Sequence, residues 1–281
     1  MRKFWGSIAI TVLVVAGSAF AWFFVDSGFD RPPLRWRGEE IRVGYSSEAP
    51  YAFRTEDGTV TGQSPEIAKA VLRRMGITHI RWVLLDFSQT IPELLSGHID
   101  MIANGMFITP DRAARIAFSL PYSRTTQGLL VRRGNPKNLH SYADISTKQD
   151  AVVAVLAGSI EQQLLYRLHV PPSRVFVVPE PLDGLAAVRQ GKVDCLALSL
   201  PTVAWMARRI PEEVEVAQPF QGPKGTGAAG RSAFGFRRED VALRQAVDKA
   251  LVAYIGSSEH VARVRPFGFG LDALPEWSPR P

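Results

Sequence analysis

Leu94-Leu95-Ser96-Gly97-His98-Ile99-Asp100-Met101-Ile102-Ala103 has a counterpart downstream in Val188-Arg189-Gln190-Gly191-Lys192-Val193-Asp194-Cys195-Leu196-Ala197. In each stretch a helix end meets a glycine. A β-branched residue and an aspartate follow, then an apolar strand, and soon afterwards a proline, Pro110 or Pro201. Glycine in that place supplies the left-handed backbone on which helices commonly end. One such unit is ordinary in any chain that alternates strands and helices. Two of them, far apart, predict two α/β lobes of similar plan. Ligands of open α/β sheets sit beyond the carboxyl ends of the strands, so two lobes would set those ends face to face across a cleft.

The chain on either side of the first unit continues the alternation. Ile41-Arg42-Val43-Gly44-Tyr45 reads as a short strand. Ser64-Pro65-Glu66 opens a helix, with Ser64 as its cap, proline near its start and an acid at its positive end. Ile67, Ala68, Val71, Leu72 and Met75 form its apolar stripe, and Gly76 ends it. The run from Ile80 to Leu85 is the next strand, then comes the helix from Ile91 to Ser96 and the strand from Ile99 to Ala103. This βαβα order predicts a mostly parallel sheet covered by helices.

Composition narrows the class. Of 281 residues, 46% are hydrophobic and 21% charged, which excludes a disordered chain. Cys195 is the single cysteine, so an intrachain disulfide and a multi-cysteine metal cluster are both excluded. His79, His98, His140, His169 and His260 are isolated, without metal-ligand spacing, and neither a metal nor a cofactor is expected. Lys and Arg number 33 against 27 Asp and Glu, a net charge of +6. The arginine pairs are scattered, which predicts a basic solvated surface and no nucleic-acid site. Gly225-Thr226-Gly227-Ala228-Ala229-Gly230 matches the dinucleotide-binding spacing, but Pro223-Lys224 precedes it and a strand-like Ser232-Ala233-Phe234-Gly235-Phe236 follows. It reads as a loop, since the phosphate-binding turn needs a strand before it and a helix after it.

The first segment sets the compartment. Met1-Arg2-Lys3 is basic, and Phe4 to Val25 carries no charge. Ala19-Phe20-Ala21 has the small-x-small form of an export cleavage site. The same apolar run is also long enough to span a bilayer. Residues 1–25 are therefore either a signal peptide or an N-terminal membrane anchor. Either reading places the rest outside the cytoplasmic membrane, in the periplasm or an equivalent space. Residues 26–38, with Pro32-Pro33, read as a linker.

Gly105-Met106-Phe107-Ile108-Thr109-Pro110-Asp111-Arg112-Ala113-Ala114-Arg115-Ile116-Ala117-Phe118-Ser119-Leu120-Pro121-Tyr122 resembles a signature of family 3 solute-binding proteins, the extracytoplasmic receptors of ABC importers for polar amino acids. Ala49-Pro50-Tyr51-Ala52-Phe53, the Gly62 to Gly76 helix, Gly158-Ser159 and Phe267-Gly268-Phe269-Gly270 fit the same family in order. The resemblance implies a type II periplasmic-binding-protein-like fold, two α/β lobes joined by two crossing strands. The solute-binding domain would cover 39–275, with lobe 1 at 39–131 and 233–275, lobe 2 at 132–232, and a tail at 276–281. The crossing strands are expected near Gly128-Leu129-Leu130-Val131 and Ala233-Phe234-Gly235-Phe236.

Two departures from the family pattern bear on the ligand. Phe107 stands where relatives that bind α-amino acids usually have a small hydroxyl residue, and Ser199 where they usually have the aspartate for the ligand ammonium. Arg112, which in the family grips the ligand carboxylate, is kept. Glu48, Tyr51, Phe87, Phe107 and Arg112 together resemble the ligand set of the ectoine- and hydroxyectoine-binding branch, in which aromatics enclose a delocalised cation. From lobe 2 the resemblance adds Ser159 and Ile160, at a helix start, and Ser199. The function implied is capture of a small zwitterionic solute by a monomer that delivers it to an ABC permease, without catalysis. Two alternatives stay open. One is a periplasmic cyclohexadienyl dehydratase-like enzyme with Glu48 as its acid–base group; the other is a membrane-tethered ligand sensor.

Overall fold

The structure is a computed structural model and describes residues 40–222 and 230–279. Residues 1–25, expected to serve as a signal peptide or anchor, residues 26–38, expected to be a linker, and the glycines at 225 and 227 fall outside the described residues.

The first part of the chain forms β1 (Ile41–Tyr45), β2 (Phe53–Arg54), β3 (Val60–Thr61), α1 (Gln63–Arg74), β4 (Ile80–Leu84), α2 (Thr90–Leu95), β5 (Met101–Ile102), α3 (Pro110–Ala113) and β6 (Ala117–Phe118). A second group follows: β7 (Ser123–Thr125), β8 (Gln127–Arg132), α4 (Tyr142–Thr147), β9 (Val153–Leu156), α5 (Ile160–Arg167), β10 (Val175–Val178), α6 (Pro181–Arg189), β11 (Cys195–Ser199), α7 (Leu200–Ala207) and β12 (Val214–Val216). The chain then returns through β13 (Gly230–Ser232) and β14 (Gly235–Phe236) to α8 (Val241–Tyr254) and α9 (Ser258–Val264).

Two five-stranded sheets result, in the orders β4-β1-β5-β14-β6 and β10-β9-β11-β8-β12. In each, three strands run parallel, joined by helices, and two pair antiparallel. Each sheet has its own core. Ile41, Val43, Met101 and Phe236 pack with α1 and α8 in one; Leu129, Val131, Val153 and Cys195 pack with Ile145 and Leu165 in the other.

The repeated sequence unit is the same piece of structure twice. Gly97 and Gly191 end their helices at φ 78 and 69, where a side chain would be strained. The aspartate three residues on then ties its strand to the neighbour. Asp100 N–H donates to Arg42 O, and the Asp100 carboxylate accepts from Arg42 N–H at 3.1 Å. Asp194 N–H donates to Val152 O, and its carboxylate accepts from Val152 N–H at 2.9 Å.

Two expectations are corrected. Gly128 to Val131 do not cross between lobes. They belong to β8, which pairs with both β11 and β12, and the four residues are fully buried within the second sheet. Likewise β14 lies in the first sheet. The crossing ribbon is β7 against β13, in the register Thr125 to Gly230 and Ser123 to Ser232. Residues 127–132 therefore pair within the second sheet. Ser64 is also not the cap of α1. The helix begins at Gln63 after Gly62, and the buried Ser64 hydroxyl meets the Tyr122 hydroxyl at 2.8 Å.

Candidate functional site

Glu48 and Tyr51 come from one tight turn after β1. Glu48 and Ala52 exchange backbone hydrogen bonds, and Tyr51 N–H donates to Glu48 O at 2.8 Å. The turn sets the carboxylate and the ring side by side. The Tyr51 hydroxyl is 2.9 Å from Thr125 Oγ1 on the crossing strand β7. Its ring makes an edge contact with Phe107 at 6.4 Å and a tilted one with Phe269 at 5.3 Å. Phe107 is held against the returning strand by a bridge to Ser232. A Cβ at Gly230 would lie 2.2 Å from the Phe107 ring, so this ring needs a residue without a side chain there.

Arg112 sits on α3, a single turn capped by Thr109, whose hydroxyl accepts from Arg112 N–H at 3.3 Å. Arg112 as a whole is 7% exposed. Nη1 donates to Phe107 O at 2.9 Å, and Nη2 crosses between lobes to Gly158 O at 3.0 Å. The Phe87 ring lies 5.2 Å from the guanidinium carbon. Phe87 thus flanks the arginine as well as the cavity, and it packs against cores of both lobes.

The second lobe contributes the start of α5 and the end of β11. Ser159 caps α5, accepting from Gln162 N–H at 3.1 Å. Ile160 packs onto the first-lobe cluster that holds Tyr51 and Phe107. Ser199 ends β11, and its hydroxyl is 3.1 Å from Thr202 Oγ1. Thr202 in turn donates to Glu48 Oε1 at 2.7 Å.

All eight sequence-nominated residues line one cavity with an empty volume of about 350 Å³: Glu48, Tyr51, Phe87, Phe107, Arg112, Ser159, Ile160 and Ser199. A roomier hollow beside β7, about 1060 Å³ and lined by Arg124, Arg208, Phe267 and Phe269, gathers no buried acid, so chemistry rather than size marks the smaller one. Glu161 was missed. It is 4% exposed, and it lines the same cavity from the second lobe. An acid in the first turn of a helix ordinarily reads as an exposed partner of the helix dipole, which hides such a residue in sequence. Thr202, fully buried, was missed too.

The electrostatics are those of a confined charged pocket. Burial pushes Glu48 up to about 7, against the Thr202 hydrogen bond and the charge of Arg112. Burial pushes Glu161 up to about 7 as well. Its own backbone N–H opposes this, and the nearby Glu48 charge reinforces it. Burial also lowers Arg112, to about 10, while Glu161 and Glu48 hold it up. A basic group flanked by two acids and by rings can hold a small molecule that carries both signs of charge.

The profile of the bacterial extracellular solute-binding proteins, family 3, matches residues 41–264. A probable amino-acid ABC transporter periplasmic-binding protein of Sinorhizobium fredii is 33% identical over 240 residues, 84% of this chain and 78% of that one. A membrane-bound lytic murein transglycosylase F of Maricaulis maris is 27% identical, over 75% of this chain and 47% of its own length. Among solved structures, EhuB in complex with hydroxyectoine superposes with a TM-score of 0.76 at 30% identity, covering 82% of this chain and 89% of that one. The two-sheet architecture, the profile match and these likenesses agree: the chain belongs to the family 3 bacterial extracellular solute-binding proteins.

Proposed function

We propose that the protein captures a small zwitterionic solute, ectoine, hydroxyectoine or a related amino-acid derivative, outside the cytoplasmic membrane and hands it to an ABC permease. The observation that carries this reading is the cavity itself, which gathers Arg112, the two acids Glu48 and Glu161 whose charges act on it, Phe87 beside the guanidinium, Tyr51 and Phe107. The solute carboxylate pairs with Arg112. Its positive end meets Glu48, and the aromatic faces favour a delocalised cation by about 0.5–2 kcal/mol per good contact. The site is shared by two lobes, so a solute that touches both binds the closed form better than the open one, and that difference drives closure. The 30% identity to a structure that holds hydroxyectoine supports this choice of solute. Export through residues 1–25, cleaved or kept as an anchor, belongs to the same proposal.

Glu48 and Glu161, both pushed up to about 7, also favour a second reading. A carboxyl that titrates near neutrality is suited to acid–base catalysis, as a cyclohexadienyl dehydratase-like enzyme would require. One experiment separates the two. A calorimetric panel of ectoine, hydroxyectoine, proline betaine and polar amino acids identifies the bound compound, and chromatography of the released material then shows its fate. The receptor reading expects a member of the panel to bind and to return unchanged. Conversion of prephenate or arogenate by the protein would replace it with the enzyme reading.

A further inference from the structure

Glu161 lies outside the ligand set that the family resemblance supplied, and its position is demanding. It is buried in the first turn of α5, on the cavity wall that the second lobe presents, and it feels both Arg112 and Glu48. Its charge also reaches the phenols of Tyr51 and Tyr142, which burial keeps in the neutral form. The charged groups of the pocket are therefore one arginine and two carboxyls. With both carboxyls ionised the pocket holds one negative charge in excess, and a zwitterion adds nothing to cancel it. An uncompensated charge sealed from water is strongly unfavourable. An ionised Glu161 would also compete with the solute carboxylate for Arg112, whose Nη1 and Nη2 already each serve a carbonyl.

The two acids are not equivalent. Thr202 donates to Glu48 at 2.7 Å and Arg112 attracts it; both favour its ionised form. Glu161 has burial and the ionised Glu48 against it, set against its own backbone N–H, Arg112 and the Ser159 hydroxyl, which favour the ionised form.

We propose that Glu161 binds the solute in its acid form, donating its O–H to the carboxylate that Arg112 holds, so that loading a zwitterion above neutral pH takes one proton from solution. This rests on the zwitterion-receptor reading and adds to it a pH-dependent affinity set by the second lobe. Release in a more alkaline compartment would be favoured.

The test is titration calorimetry of the protein with hydroxyectoine in pairs of buffers of different ionisation enthalpy, from neutral pH upward. The wild type is expected to take up about one proton per solute above neutrality, with affinity falling about tenfold per pH unit there. Glu161→Gln keeps a donor and the shape of the acid form. It is expected to abolish both the proton uptake and the slope, and to bind at alkaline pH where the wild type has weakened. Glu48→Gln is expected to lose affinity at every pH. Binding by the wild type with no proton uptake would overturn the proposal while leaving the receptor reading intact, and so would an unchanged slope in Glu161→Gln. Failure of the wild type to bind any zwitterion of the panel at any pH would overturn both.

Discussion

In the first lobe the aspartate that follows the helix-ending glycine, Asp100, bridges two arginines. Arg42 Nε and Nη2 donate to it at 2.9 and 2.8 Å, and Arg237 Nη2 at 3.1 Å. In the second lobe its counterpart, Asp194, holds the backbone N–H of Val152. The backbone device is shared; the charges are added only in the first. Arg237 follows β14 directly, so it arrives after the chain has built the whole second lobe. It then donates to Leu94 O and Ile99 O at the very unit that ends α2. The first lobe is thus locked by a segment that returns to it, whereas the second closes on local sequence. The same asymmetry runs through the site. The first lobe supplies Arg112, Glu48 and the aromatic rings, and the second supplies a helix start, Glu161 and the Ser199–Thr202 hydroxyls.

The comparison breaks most visibly at Asp100. Asp100→Ala takes from Arg42 and Arg237 the buried carboxylate they share, while Arg237 keeps Asp240 at 2.7 Å, and costs about 3 kcal/mol, the low end for a broken buried pair. Asp194→Ala removes a backbone partner and costs about 1–3 kcal/mol. Urea unfolding of the two variants checks this, and equal losses would mean that the arginines add nothing. The pH dependence has a definite sign. Burial alone would raise Asp100, but Arg42 and Arg237 outweigh it and hold the carboxyl below its ordinary range. Its contribution is therefore complete above about pH 4 and fades as acid protonates it.

Next comes the division of labour in binding. Arg112→Ala should weaken the solute by about 2–5 kcal/mol, because the solute carboxylate and two buried acids lose their shared cation. Phe107→Ala should cost about 1–3 kcal/mol, through lost ring contact and admitted water. Calorimetry reads both, and unchanged affinity in the pair would remove the first lobe from the site. The smallest effect sharpens the second lobe's role. Ser159→Ala removes the cap of α5 and should lower stability by about 1 kcal/mol, seen in thermal unfolding.

Sequence carried the fold a long way for a physical reason. A glycine that must take positive φ and an aspartate that must reach a neighbouring backbone N–H leave the same mark wherever the unit occurs, at Gly97–Asp100 and again at Gly191–Asp194. The crossing point was misplaced because Gly128-Leu129-Leu130-Val131 is apolar in any strand, and only pairing with β11 and β12 reveals which sheet it serves. The cavity residues were legible where they sit in a matched motif. Glu161 and Thr202 were not, since burial of a charged or hydroxyl side chain at a helix start depends on the opposite lobe, which local pattern does not describe.

The central claim is that one solute is held by both lobes at once. Small-angle X-ray scattering of the protein, with and without a saturating amount of the tightest-binding zwitterion of the panel, tests it directly. The account predicts a smaller radius of gyration in the loaded protein, and no such decrease in Arg112→Ala at the same solute concentration. Tight binding by the wild type with an unchanged radius would contradict it.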